Sequence, residues 1–290
     1  MKRKMFSAIV FTALFCSCTA FSQEKILPGG VAQPYFWLKS RNTGENYYWE
    51  NNSTNKETKV SANKHKGTAF NYNPSIVFDA AHDSLIVPLG VDSKRRQTLF
   101  MVYKVNDSLK EQFLWTINDP KKIISAATNK RLVDLKKYSY QSYQEKIKPH
   151  KANIHFFQQN VTDTVAEFSS LTIGQKSKLE KLPPEDFKGN ISEIVVFNRV
   201  LSGLETQKAA SYLAIQYGIS LSQFENTTYV NSQGHTIWDL EKHKGFNSSI
   251  TAVGRDDASG LLQTKSNNMI DEGILTIELK SKSNQIPNNY

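Results

Sequence analysis

The chain has 290 residues, 39% of them hydrophobic and 11% aromatic, enough to build a packed core without a metal or disulfide staple. Its formal net charge is +9, but the basic residues are spread thinly and form no dense stripe interleaved with aromatics, which argues against a nucleic-acid partner. Both cysteines, Cys16 and Cys18, fall within the first 22 residues, so the remainder can form no disulfide, thiolate metal site or cysteine nucleophile.

In chain order, Lys2, Arg3 and Lys4 precede an apolar run from Met5 to Phe15, broken only by Ser7 and Thr12. Small or polar residues follow: Ser17, Thr19, Ala20 and Ser22. A positive start, a short apolar stretch and a small-x-small site make a secretory signal peptide over residues 1–22. Cleavage is expected between Ser22 and Gln23, with Ala20 and Ser22 at the −3 and −1 positions. The apolar run is about half of the roughly 20 residues a membrane helix needs, so no transmembrane span is expected in the mature chain. An alternative is lipidation at Cys18, because Phe15-Cys16-Ser17-Cys18 loosely resembles a lipoprotein site, although Phe15 stands where leucine is usual. Loss of the leader removes three positive charges, leaving a mature surplus of about +6. That surplus is compatible with an anionic polysaccharide or envelope lipid, or simply with solubility.

Residues 23–34, with Pro28, Gly29, Gly30 and Pro34, read as an irregular lead-in, and Tyr35–Leu38 as a first strand. Residues 40–66 are polar and are expected to form a connection carrying an aromatic knot at Tyr47, Tyr48 and Trp49. Short apolar runs then recur every 10–15 residues: Ser75–Phe78, Leu85–Leu89, Thr98–Val105, Gln112–Ile117, Ile123–Ala127, Ile154–Gln158 and Ser169–Ile173. Such runs separated by turn residues, with no helical stretch between them, predict a sandwich or barrel and not a doubly wound sheet. The segment from Gly189 to Leu201 is the strongest strand, apolar on both faces and therefore expected at the centre of a sheet.

One helix is expected over residues 203–217. Ser202 and Glu205 have the spacing of a capping box, helix formers follow, and Gly218 stands at the C-terminal stop. Beyond Leu221 the chain turns polar, then shows short apolar pieces at Thr236–Trp238, Ile250–Val253 and Gly273–Leu279. The expected organisation is a β-sandwich over residues 23–222 and a small, incomplete β-rich unit over 223–290, with a polar, disordered tail at 280–290.

Four blocks carry a family resemblance. They are Pro74-Ser-Ile-Val-Phe-Asp-Ala-Ala-His-Asp-Ser-Leu85, the strand from Phe187 to Ser202, the helix from Glu205 to Ile219, and the pair Tyr229–Asp239 with Ile250–Leu261. The first three resemble the laminin-G-like, concanavalin A-like jelly-roll domains of the lectin and glucanase superfamily in bacterial surface proteins. The fourth resembles the uncharacterised module that follows such domains in large surface proteins of gliding-type bacteria with type IX secretion. Ala80 and Ala81 depart from the glycine turn usual in the family, and Gln216 stands where lysine is common. The resemblance implies an all-β jelly-roll sandwich with one C-terminal helix, an extracellular or outer-membrane-surface location, and a shortened second module. Without a sorting tail, the signal peptide alone leads as far as the periplasm.

The superfamily includes glycosidases, whose catalytic strand carries an E-x-D-x-x-E pattern; no such strand occurs here, and a non-enzyme is expected. Glu193 stands alone on its strand. There is no H-x-x-x-H pair, G-x-S-x-G elbow, P-loop or G-x-G-x-x-G. Calcium is the one cofactor with candidate ligands. Asp79 and Asp83 flank a turn, and Asp256 and Asp257 share a second loop, although turn aspartates more often bond backbone donors. Tyr47, Tyr48 and Trp49 are the candidate sugar-stacking residues, with Tyr138, Tyr140 and Tyr143 alternating in another loop. The expected function is a secreted or surface, non-catalytic adhesion module that recognises a glycan or a surface protein through sandwich loops. The alternatives are a glycoside hydrolase or lyase on the same fold, and a structural spacer in a larger adhesin.

Overall fold

The computed structural model describes residues 26–52, 67–79, 85–89, 96–106, 111–118, 123–128, 130–134, 139–142, 151–160, 170–174, 185–221, 228–269 and 275–279. Two six-stranded antiparallel sheets form a β-sandwich. The first sheet contains β1 (Phe36–Thr43), β2 (Asn46–Asn51), β3 (Ile76–Asp79), β5 (Arg96–Val105), β10 (Asn153–Asn160) and β12 (Lys188–Phe197). Its order is β10-β5-β12-β1-β2, and β3 also pairs with β12. The second sheet contains β4 (Leu85–Pro88), β6 (Phe113–Asn118), β7 (Ile123–Ala127), β8 (Lys130–Asp134), β9 (Ser139–Ser142) and β11 (Ser170–Ile173), in the order β4-β11-β6-β7-β8-β9. The all-β sandwich with one helix expected from the sequence is the architecture observed.

Alternation of side chains along each strand divides the interior into two cores. Phe36, Leu38, Met101, Tyr103, Ile194 and Val196 of the first sheet meet Leu85, Val87, Trp115, Ile117, Leu171 and Ile173 of the second in an inner core. The opposite face of the first sheet presents Trp37, Phe100, Val102, Val195 and Phe197 to an outer core. That face is covered by the helix α1 (Gly203–Tyr217) through Ala209, Ala210, Leu213, Ala214 and Tyr217. Strand β12 is therefore buried on both faces, as its continuous apolar run requires.

The helix boundaries follow from local chemistry. The Ser202 side chain accepts the Glu205 N–H while the Glu205 carboxylate accepts the Ser202 N–H, completing a capping box. Gly218 ends the helix in the left-handed region at φ 63°, and its N–H reaches the Ala214 carbonyl. A Cβ at Gly218 would lie 2.2 Å from the Asn267 carbonyl oxygen, so the close approach as well as the φ requires glycine.

After α1 come three two-stranded ribbons: β13 (Tyr229–Val230) with β14 (Thr236–Trp238), β15 (Gly254–Asp256) with β16 (Leu261–Gln263), and β17 (Lys265–Asn267) with β18 (Thr276–Glu278). An isolated ribbon is marginal in water. Here Tyr229, Leu240, Leu261 and Met269 pack into the outer core beside α1.

One local expectation is corrected. Residues 46–51 form strand β2 and not part of a polar connection: Tyr47 and Trp49 alternate with polar neighbours and point into the inner core at 7% and 6% exposure. The apolar piece Ile250–Val253 packs Ile250 and Ala252 against the outer core, and strand β15 follows it at Gly254–Asp256.

Candidate functional site

Two polar features sit in the outer layer. The first is sealed. Glu193 on β12 is fully buried, and its carboxylate accepts hydrogen bonds from Trp37 Nε1 at 2.7 Å, Tyr217 Oη at 2.7 Å and Tyr212 Oη at 3.2 Å. Lys39, the cross-strand partner of Glu193, donates from Nζ to Tyr212 Oη at 3.1 Å. Glu50 is the partner of Lys39 on the other side and pairs with Arg41 at 2.7 Å. A buried charge survives only when paired and hydrogen-bonded, and this one is satisfied by three donors.

Burial lowers the Lys39 ammonium from its ordinary value, with Glu193 opposing the shift. Burial also pushes the Tyr212 and Tyr217 hydroxyls well above theirs, helped by the adjacent Glu193 charge. The cluster therefore clamps α1 onto the sheet, and its carboxylate is 0% exposed. In the sequence Glu193 looks solitary, because its partners come from β1 and α1. The signal that could have located them is the pair Tyr212 and Tyr217, polar-tipped aromatics on the face of α1 that meets the sheet.

The second feature is open. A cleft of about 370 Å³ lies between α1, the β13–β14 ribbon and the β15–β16 ribbon. Its floor is apolar, formed by the buried Tyr212, Ile215, Val230 and Leu261. Its rim is polar: Lys208 from α1, Asn231, Ser232 and Gln233 from the turn after β13, and Arg255 and Asp256 from β15. Ile237 adds an apolar side chain 51% exposed.

The rim is held by local bonds. Asn231 Oδ1 accepts the N–H groups of Gln233 and His235 at 3.1 and 2.8 Å, fixing the turn. Asp256 accepts from Ser232 N and Oγ at 2.8 and 2.7 Å, joining the two ribbons at one end of the cleft. The lead-in strap completes the wall: Leu27 N–H bonds the Ala258 carbonyl at 3.1 Å, and Gly29, at φ 66°, lies so near the helix that a Cβ would be 2.6 Å from the Lys208 carbonyl oxygen.

The residues singled out from sequence are not brought together. Tyr47 and Trp49 are core residues, and Tyr48 is half-buried opposite Arg41, so none of the three stands at the cleft. Asp79 ends β3 in an exposed position, while Asp83, Ser22, Gln23, Cys18, Tyr138 and Tyr143 lie outside the described residues. Asp256 is engaged with Ser232, and Asp257 pairs with Arg255 at 2.6 Å, so the two neighbouring carboxylates serve different partners. Among the described residues, no three His, Cys, Asp or Glu side chains are grouped to hold a metal ion. Among the same residues, no helix is long and apolar enough to cross a membrane.

A sequence-family model described as a domain of unknown function (DUF8202) matches residues 205–290, which take in most of α1 and all the ribbons. No curated protein matches the chain. Among solved structures, the chain is similar to a Trypanosoma rangeli sialidase in complex with 2,3-difluorosialic acid, with TM-score 0.41 and 15% identity, over 63% of this chain and 33% of that one. It is similar to the heptameric SAP-like pentraxin of Limulus polyphemus with TM-score 0.33 and 13% identity, over 51% and 80% of the two chains. An exo-β-1,3-galactanase from Phanerochaete chrysosporium, bound to galactose, gives TM-score 0.25 and 10% identity, over 52% and 33%. The chain spans about a third of the sialidase it matches.

Proposed function

We propose that the protein is an exported, non-catalytic module that binds a glycan, and that the cleft between α1 and the first two ribbons is the site. The observation that carries this reading is the composition of the cleft. Its volume falls in the range of small-ligand sites, its floor is apolar, and its rim offers amides, hydroxyls and cationic donors. Glycosidases set two carboxyls about 5–9.5 Å apart across the scissile bond. Among the described residues, Asp256 is the one carboxylate lining this cleft, and both of its oxygens are engaged by Ser232.

Export rests on the leader pattern of residues 1–22. Display on the cell surface, in the manner of gliding-type bacterial adhesins, rests on the resemblance of the sequence blocks. The test is a glycan array probed with the whole secreted chain, followed by calorimetry on the hits and a reducing-sugar assay on the same glycans. Saturable binding without release of reducing ends is the expected result. Turnover that disappears on a single Asp or Glu substitution would overturn the reading in favour of a hydrolase.

A further inference from the structure

The cleft that serves as the proposed glycan site carries two cationic side chains from different elements, Lys208 on α1 and Arg255 on β15. Their electrostatic circumstances differ from those of the acids nearby. Asp256 is tied down by two donors from Ser232. Lys208 has no ion-pair partner among the described residues. Arg255 is paired with Asp257 at 2.6 Å, but the two side chains are 72% and 66% exposed, and a pair that open to water contributes little and exchanges readily. A carboxylate entering the cleft thus meets an ammonium with no ion-pair partner among the described residues and a guanidinium held by a weak partner. The guanidinium fork can take both oxygens of a carboxylate, while the ammonium acts as a point charge.

We infer that the ligand of this cleft is an acidic glycan, one whose sugar carboxylate is held between Lys208 and Arg255 while its ring lies on the apolar floor. The inference rests on the glycan-binding reading and adds the charge class of the sugar. The volume of about 370 Å³ suits a short oligosaccharide whose ring covers the apolar floor, and an acidic peptide is the competing outcome of the test.

The test compares tri-galacturonate with its carboxyl-reduced, neutral counterpart, by calorimetry on the full secreted chain at low and at physiological salt. Tri-galacturonate is expected to bind, and more weakly as salt rises. R255Q and K208Q should each weaken it by about tenfold, the size expected for losing a hydrogen bond to a charged group. D257N, which frees the guanidinium, should tighten it about two- to fivefold. Far-ultraviolet circular dichroism and melting of the variants, expected to be unchanged, separate a lost contact from a lost fold. Equal binding of the acid and neutral trisaccharides would overturn the charge inference and leave the glycan reading standing. Binding of neither, across the array as well, would overturn both. Tight binding of an oligo-aspartate that tri-galacturonate fails to displace would replace the sugar acid with a peptide.

Discussion

The two cores on either face of the first sheet differ in kind. The inner core, between the sheets, is dominated by alternating apolar residues, with Trp115 fully buried and packed 4.7 Å from Phe157. The outer core, beneath α1 and the ribbons, is also largely apolar but encloses a buried carboxylate, a buried lysine and two tyrosines. Apolar packing tolerates exchange of one side chain for another of similar volume, whereas a polar cluster demands its own partners in its own geometry. The contrast separates a layer that makes the sandwich stable from a layer that fixes where α1 lies. Because Lys208, Tyr212 and Ile215 of α1 form one side of the cleft, fixing the helix also fixes the site.

The comparison can be broken from either side. The largest effect is expected from Trp115→Ala, which removes a fully buried side chain from the inner core and should cost about 3–5 kcal/mol in denaturant unfolding, with the whole chain losing stability. Glu193→Ala comes next, at about 3 kcal/mol, because it strands the Trp37, Tyr212 and Tyr217 donors and leaves Lys39 buried without its counter-charge. Hydrogen exchange distinguishes the two. Glu193→Ala should deprotect α1 ahead of β6 and β11, whereas Trp115→Ala should affect both layers. Gly218→Ala should cost about 2 kcal/mol, since φ 63° and the 2.2 Å approach to Asn267 both oppose a Cβ.

The smaller effects are pH dependences whose signs differ. The raised tyrosines of the outer layer keep their protons in the folded state at pH values where the unfolded chain ionises. Their contribution is therefore whole below pH 10 and declines as pH rises past it. Tyr217→Phe should flatten that alkaline slope of the melting temperature. At the start of α1 the sign reverses. The Arg199 guanidinium, assisted by Ser202, holds the Glu205 carboxyl down at about 2 from its ordinary 4.5. Stability from this cap is present above pH 4.5 and is lost as pH falls toward 2. Glu205→Gln should remove this acid limb, and Ser202→Ala should cost about 1 kcal/mol at neutral pH.

Much of the fold is legible locally. The capping box at Ser202 and Glu205 and the stop at Gly218 set the ends of α1, and the apolar run to either side of Ile194 marks the central strand. Strand β2 is harder to read. Its pattern is only six residues long, lies in a polar stretch, and owes its inward face to Tyr47 and Trp49 alone. The site is less legible still. Glu193 finds its partners on β1, from Trp37 and Lys39, and on α1, from Tyr212 and Tyr217, none of them predictable from spacing along β12. The cleft draws residues from Gly29 to Leu261, brought together by the docking of the ribbons and not by any motif. Arg255 and Asp256 stand out in the sequence only as a charged turn. Their separate partners, Asp257 and Ser232, decide which of the two is available to a ligand.

The most direct test of the account is a hydrogen-exchange footprint of the full chain with and without a glycan identified on the array. The account predicts slowed exchange at residues 229–237 and 252–256 and along the 208–215 stretch of α1, with β4 and β11 at the far side of the sandwich unchanged. Protection confined to the strands or connections of the second sheet, with the ribbons unaffected, would contradict it.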